Sequence, residues 1–357
     1  MDQLSLDPSS DAPPATHARH RRRRKAPWRL IALGVIVVLA GLVGWYEVEV
    51  HAVGAKKSGE VTIDIQRGAS VSSVVDRLVA KEVLSSSTAF SLYSAIHGSP
   101  SVNPGWFSFP TGSTFTAVRA ILAAPSNTDA LDVPQGFTIR EVIARLRTQM
   151  PAPFVAAVQR AFHNGSVQSG YQPAGSTNLE GLIAPGRYLI SPATTPSDLV
   201  TSMVERFTAM ATSQGLAPGA KIRGRDAYSI ITQASVVEKE GYQVRNMAKV
   251  SRVIDNRLSA QMPLQMDATV LYALKLDGGA VTRAMLQTPS PYNSYLNHGL
   301  PPTPICVVSA DALAVAVNPP VGPWLYFTVV DKTGTEAFST TFAEQLANEK
   351  LAADRGL

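Results

Sequence analysis

From Leu30 to Tyr46 the chain reads LIALGVIVVLAGLVGWY without a single charge. At about 1.5 Å per residue a helix over this stretch is roughly 25 Å long, close to the hydrocarbon thickness of a bilayer. Trp28, Trp45 and Tyr46 supply the amphipathic rings that settle at a membrane interface. The predicted element is one transmembrane helix over residues 30–46. A cleaved secretory signal is the competing reading, because Val53-Gly54-Ala55 would serve as a cleavage site. The apolar core is longer than the usual 7 to 15 or so residues of such a signal and follows a long polar tail, so the helix is expected to stay as an anchor.

Charge supplies the orientation. Residues 1–29 hold seven Lys/Arg, among them Arg21 to Arg24, against Asp2, Asp7 and Asp11, which leaves only +1 of the net +5 for everything that follows. The positive-inside rule then puts residues 1–29 in the cytoplasm, as a Pro-rich disordered tail, and the chain after about Glu47 outside. A nearly neutral body argues against nucleic acid as a partner. At 357 residues with 45% hydrophobic content, that body can bury a sizeable core. Cys306 is the only cysteine, so no internal disulfide forms, and it reads as a buried small side chain. Nothing in the spacing of the six His suggests a metal site.

A repeat follows the apolar stretch. DIQRGASVSSVVDRL (Asp64 to Leu78) and DVPQGFTIREVIARL (Asp132 to Leu146) share a pattern, and PTGSTFTAVRAIL (Pro110 to Leu122) repeats its second half. Each reads as a strand, a Gly turn, a Ser or Thr cap (Ser70, Thr114, Thr138) and an amphipathic helix. The apolar stripes run through Val74 and Leu78, Val118 and Leu122, and Val142 and Leu146. Trp106, Phe107 and Phe109 between the modules are expected in a core.

The chemistry concentrates further on. Ile230, Ile231, Ala234 and Val237, then Met247, Val250, Ile254 and Leu258, recur at helical spacing and predict two amphipathic helices. Asp226 caps the first and Gly241 ends it, which leaves Glu238 and Glu240 in its last turn. The helix dipole disfavours an anion there, so a carboxylate kept at this place is suited to hold a proton, as a general acid must. A solvated helix end is the plain alternative. Residues two apart do not share a helix face, so only one of the pair should enter a cleft, and spacing does not choose which.

ASVVEKEG, VIDNRL, MPLQMDATVLYAL, SPYNSYLNHGLPPTPI and WLYF stand in the order expected of the YceG-like (MltG) endolytic murein transglycosylases, which the chain resembles over nearly its whole length. The resemblance implies an α+β fold: the transmembrane helix, small LysM-like strand-helix modules over 56–150, and a mixed α/β catalytic domain over 151–357. It makes Glu240 the catalytic acid/base, with Glu238 the alternative acid. Gln265, Asp267, Tyr292, Asn293 and Tyr295 are expected to line the glycan cleft, and Glu180, in LEGLIAPGRYLISP, is a further cleft candidate. Asp267 as the cap of a helix from Ala268 to Leu274 is an equally open reading. Arg257 reads as a buried structural cation, and WLYFTVVD as a buried closing strand.

The chain also departs from the family pattern. Pro185-Gly186-Arg187-Tyr188 replaces Pro-Asp-Thr-Tyr, Cys306-Val307-Val308 replaces Asn-Pro-Gly, and two expected His are absent where Glu336 and Gln345 stand. What the resemblance implies is cleavage of the MurNAc-GlcNAc β-1,4 bond of nascent strands to give 1,6-anhydro ends, with no metal or organic cofactor. Peptidoglycan strands are the partner the resemblance implies, and the anchor's topology adds the cytoplasmic membrane and, as a hypothesis, membrane-bound glycan polymerases. Two readings compete: a hydrolysing muramidase with Asp267 or Glu180 as second carboxylate, and a non-catalytic peptidoglycan-binding scaffold. LysM-like modules that bind glycan, or that act only as a spacer, are both open.

Overall fold

The computed structural model describes residues 28–56, 59–241 and 243–357. All but the last two residues of the expected basic tail lie outside these. The apolar stretch forms helix α1, Trp28–Val50, longer than expected by two residues before it and four after. Its side chains from Leu30 to Val43 are almost all exposed, whereas Val50 is buried against the body, so the helix stands clear of the fold until its last turns.

Two units of the same order follow. The first is strand β1 (Glu60–Ile65), helices α2 (Val71–Ala80) and α3 (Ser87–His97), strand β2 (Gly105–Pro110) and helix α4 (Phe115–Ala123). The second is β3 (Asp129–Val133), α5 (Ile139–Leu146), α6 (Ala152–Ala161), β4 (Gly186–Ile190) and α7 (Pro196–Ser213). In each, the two strands pair antiparallel, with Glu60 opposite Pro110 and Asp129 opposite Ile190. The predicted caps form: Ser70, Thr114 and Thr138 accept the N–H groups of Ser73, Ala117 and Glu141, each satisfying one otherwise orphaned donor of a first turn. The predicted stripes are buried, each Val or Leu withdrawn from water contributing about 1.5–3 kcal/mol. Phe107 and Phe109 are fully buried, as expected.

The cores do not divide where the sequence suggested. One gathers Val50 to Leu122, the other Leu131 to Ala316. The second strand-helix copy therefore packs into the larger core, and its closing strand β4 lies beyond residue 150. A strand pair whose halves are separated by more than fifty residues leaves no local sign of the pairing.

Within the larger core, α8 (Ala227–Glu240), α9 (Val244–Ser259) and α11 (Ala310–Val317) pack on one another. Strands β5 (Lys221–Ile222) and β6 (Arg225–Asp226) form a small hairpin leading into α8. A short helix α10 (Asp267–Ala273) follows α9, and the chain ends with the hairpin β7 (Tyr326–Val329) and β8 (Glu336–Ser339) covered by α12 (Phe342–Asp354). The strand expected at WLYFTVVD is shorter and only half-buried, because it belongs to a two-stranded hairpin with one neighbour.

Candidate active site

Asp226 caps α8 through the Ser229 N–H, and Glu240 is the helix's last residue. Gly241 ends the helix, but with φ −73° rather than in the left-handed region. Glycine is required there for space: a Cβ would stand 2.6 Å from Met247 Cγ and 3.0 Å from the Val237 carbonyl oxygen. That close approach brings α9 against the end of α8.

The two glutamates of the last turn go separate ways. Glu238 Oε2 accepts from the Ser309 N–H at 2.9 Å and from its hydroxyl at 2.5 Å, so it braces the start of α11. Glu240 is half-buried, and its Oε1 accepts from the Ala268 N–H at 2.9 Å, at the first turn of α10. Its Oε2 has no hydrogen-bond donor among the described residues. Loss of water around the carboxyl, with the charges of Asp267 and Glu336 nearby, pushes the Glu240 pKa up to about 7, against the opposing pull of the Ala268 N–H and Lys239.

The residues around Glu240 come from separate parts of the chain. Asp267 is exposed and accepts from the Tyr295 hydroxyl at 2.6 Å; burial, and then that bond, raises the tyrosine pKa. Asp267 is the first residue of α10 and not its cap; the cap position is Met266, which offers no side-chain bond. Gln265 is exposed, at φ 52°, its N–H held by the Ser294 carbonyl at 3.1 Å. Buried Arg257 fixes this loop from behind, with Nη1 2.6 Å from the Leu264 carbonyl and Nε 2.6 Å from that of Leu325, and it has no ion pair among the described residues. It is thus the structural cation expected.

Asn293 is not a cleft residue. It is fully buried, its Nδ2 donating to the Leu286 and Thr288 carbonyls, each at 2.9 Å, and its Oδ1 accepting from the Tyr295 N–H at 3.0 Å. Asn293 shapes the loop that presents Tyr295, a role that residue type alone does not distinguish from ligand contact.

A second carboxyl stands at the other end of α10. Glu180 is buried, 6% exposed, and accepts from the Ile139 N–H at 3.0 Å and from the Tyr272 hydroxyl at 3.4 Å. Burial raises its pKa to about 7. The Tyr272 and Tyr292 rings lie 4.9 Å apart, and the Tyr292 hydroxyl is 3.0 Å from Thr303 Oγ1. These tyrosines and Glu180 wall a cleft of about 480 Å³. Glu240 is not among its lining residues, so the two carboxyls occupy adjoining regions joined by α10. Gly181 locks Glu180 in place: its φ is +72°, and a Cβ there would fall 2.2 Å from Pro304 Cβ.

Sequence reasoning passed over Tyr272 and Tyr228. The Tyr228 pKa is pushed up to about 12, chiefly by burial, with smaller contributions from Tyr292 and Glu180. Tyr272 sits in an apolar run, VLYAL, where a tyrosine reads as core, and no local signal marks it as a cleft residue. The departures from the family pattern also find places. Arg187 makes a two-pronged ion pair with Asp132 directly across the β3–β4 ladder, at 2.8 and 3.2 Å. Glu336 is buried in β8 near Glu240, whereas Gln345 lies inside α12's contact with the hairpin, its Oε1 accepting from the Ser339 hydroxyl at 3.0 Å. Cys306 is buried, with Sγ 3.3 Å from the Ser235 carbonyl.

The arrangement thus holds a glutamate of raised pKa with one oxygen open, flanked by a Tyr–Asp pair, beside a tyrosine-walled cleft. An endolytic murein transglycosylase of Bacillus subtilis is 26% identical over 314 residues, 83% of this chain and 86% of that protein. One from Streptococcus pneumoniae D39 is 25% identical over 320 residues, covering 79% of this chain and 56% of the other. The crystal structure of a yceG-like protein from Listeria monocytogenes superposes with a TM-score of 0.52 at 24% identity, over 81% of this chain and 98% of that one, and so shares the fold. The family model described as YceG-like matches residues 63–351, a span that takes in all but the first three residues of the two strand-helix units, Glu180, Glu240 and the Tyr295 loop: the chain belongs to the YceG-like family.

Proposed function

We propose that this chain is a membrane-anchored peptidoglycan lytic transglycosylase with Glu240 as its acid/base. The carrying observation is Glu240 itself, the carboxyl whose pKa is pushed up to about 7 while one oxygen stays open to an incoming group. Near neutral pH a large share of it is protonated, as donation to a glycosidic oxygen requires. Once it has given that proton, the conjugate base takes the proton of the muramoyl C6 hydroxyl. That oxygen attacks C1 and closes a 1,6-anhydro ring, so no water is consumed. Asp267, held by Tyr295, lies close enough for its charge to stabilise positive character at C1 as the bond breaks. The relatives' name, endolytic murein transglycosylase, supports this substrate class and cleavage within strands.

Helix α1, apolar and uncovered by the fold, supports a single-pass anchor, and the basic residues before it favour an N-terminus in the cytoplasm with the cleft outside. Anchoring puts the site within a domain's reach of strands leaving a membrane-bound glycan polymerase. The repeated strand, helix, helix, strand order supports LysM-like modules, of which the second is built into the larger core.

Mass spectrometry of products from purified peptidoglycan tests the reading. Anhydro-muramoyl ends are expected. Reducing ends would make the protein a hydrolase with Asp267 or Glu180 as second carboxylate, and no product would leave a binding role.

A further inference from the structure

The cleft at Glu180 has a charge pattern that a neutral glycan does not require. Its wall is apolar and aromatic, with Ile143 and the Tyr272–Tyr292 pair, and the exposed Leu276 adds to its edge. Its rim carries Arg140, Arg147 and Lys275. Arg140 is ion-paired with Asp277. Among the described residues, the Arg147 side chain donates to the neutral Gln159 Oε1 at 3.3 Å and neither it nor Lys275 makes an ion pair. His163, also on the rim, has its pKa lowered by partial loss of water, which disfavours its charged form. The carboxyl inside, Glu180, accepts from the Ile139 N–H and the Tyr272 hydroxyl, and burial raises its pKa to about 7, so near neutral pH it offsets only part of the charge of the two open cations.

Place matters as much as charge. The helix that gives its Ala268 N–H to Glu240 gives its Tyr272 hydroxyl to Glu180, and those residues are four apart, roughly 6 Å along the axis. A substrate held at Glu240 therefore has the cleft about one sugar's length away. At 480 Å³ the cleft has the size of a ligand site, too large for an ion and suited to a few residues of peptide.

We propose that this cleft is a subsite for the acidic peptide carried by the lactyl group of muramic acid, with Arg147 and Lys275 receiving its free carboxylates and the Tyr272–Tyr292 wall packing on its apolar side chains. The proposal rests on the peptidoglycan reading of the Glu240 site and adds what that reading leaves open: the enzyme selects strands by their stems.

The test compares the full-length protein in detergent with an Arg147→Gln/Lys275→Gln double variant, on glycan strands with intact stems and on strands whose stems have been removed by an amidase. Both side chains are exposed, and a melting curve matching the parent's establishes that the double variant folds. On intact strands KM should rise roughly three- to tenfold, the worth of two exposed ion pairs, with kcat little changed. On stem-free strands parent and variant should match. Capping the stem carboxylates as amides should raise the parent's KM by the same factor and leave the variant's unchanged. An unchanged KM on intact strands, or an equal rise on both kinds, would overturn the subsite. If the parent cleaves neither kind, the transglycosylase reading itself fails, and direct binding of the free stem peptide, tighter to the parent than to the variant, still decides the subsite.

Discussion

Ala268 donates its backbone N–H to Glu240 Oε1 at 2.9 Å, so the first turn of one helix meets the last residue of another on a single carboxyl oxygen. The donor favours the anion, and the surrounding burial and the charges of Asp267 and Glu336 favour the acid. Burial prevails, which keeps the proton on a group that must later act as its own conjugate base.

Activity should follow that balance. As a general acid, Glu240 is competent below its pKa, so kcat/KM should fall as pH rises through about 7. Removing the neighbouring charge with Asp267→Asn should move the descending limb to lower pH, because a like charge no longer opposes ionisation. A pH profile of each protein checks the direction.

Stability carries the same sign. Glu180 and Glu240 are both raised from 4.5 to about 7 in the folded state, so the folded chain holds these protons over a range where the unfolded chain has released them. Their contribution is fully present below about pH 4.5 and is lost as pH rises through about 7. Glu180→Gln should flatten the decline between those values, read from denaturant melts across the range.

Glu238 is expected to be structural. Its carboxylate holds the N–H and hydroxyl of Ser309, the cap of α11. Glu238→Ala should cost about 1–2 kcal/mol by chemical denaturation, with kcat kept near the parent value in the surviving folded protein.

Gly181→Ala should be more damaging. The left-handed φ of +72° and the Pro304 Cβ at 2.2 Å leave no room for a methyl group. A loss of at least about 2 kcal/mol is expected. Activity should fall with it, since Glu180 shares the turn.

Much of this was legible in the residues. Ser70, Thr114 and Thr138 each sit before an apolar stripe, and cap and stripe are both local signals, so those helices formed as expected. The end of α8 was equally readable from Asp226 and Gly241, although Gly241 is needed for Met247's approach and not for its backbone angle. What stayed hidden depends on contacts between distant residues. Glu238 and Glu240 look alike until Ser309 takes one and Ala268 the other, seventy-one and twenty-eight residues away. Asn293 resembled a ligand-facing amide because nothing in its neighbours reveals that Leu286 and Thr288 occupy it. The boundary placed at 150 followed the repeat's second copy, whose partner strand, β4, has no repeat signature of its own.

Product formation by Glu240→Gln and Glu238→Gln, side by side on purified peptidoglycan, decides which glutamate is the acid. Anhydro-muramoyl ends should vanish with Glu240→Gln, a drop of at least roughly 10²-fold, and persist with Glu238→Gln. Full activity in Glu240→Gln, or loss confined to Glu238→Gln, would contradict the assignment of Glu240.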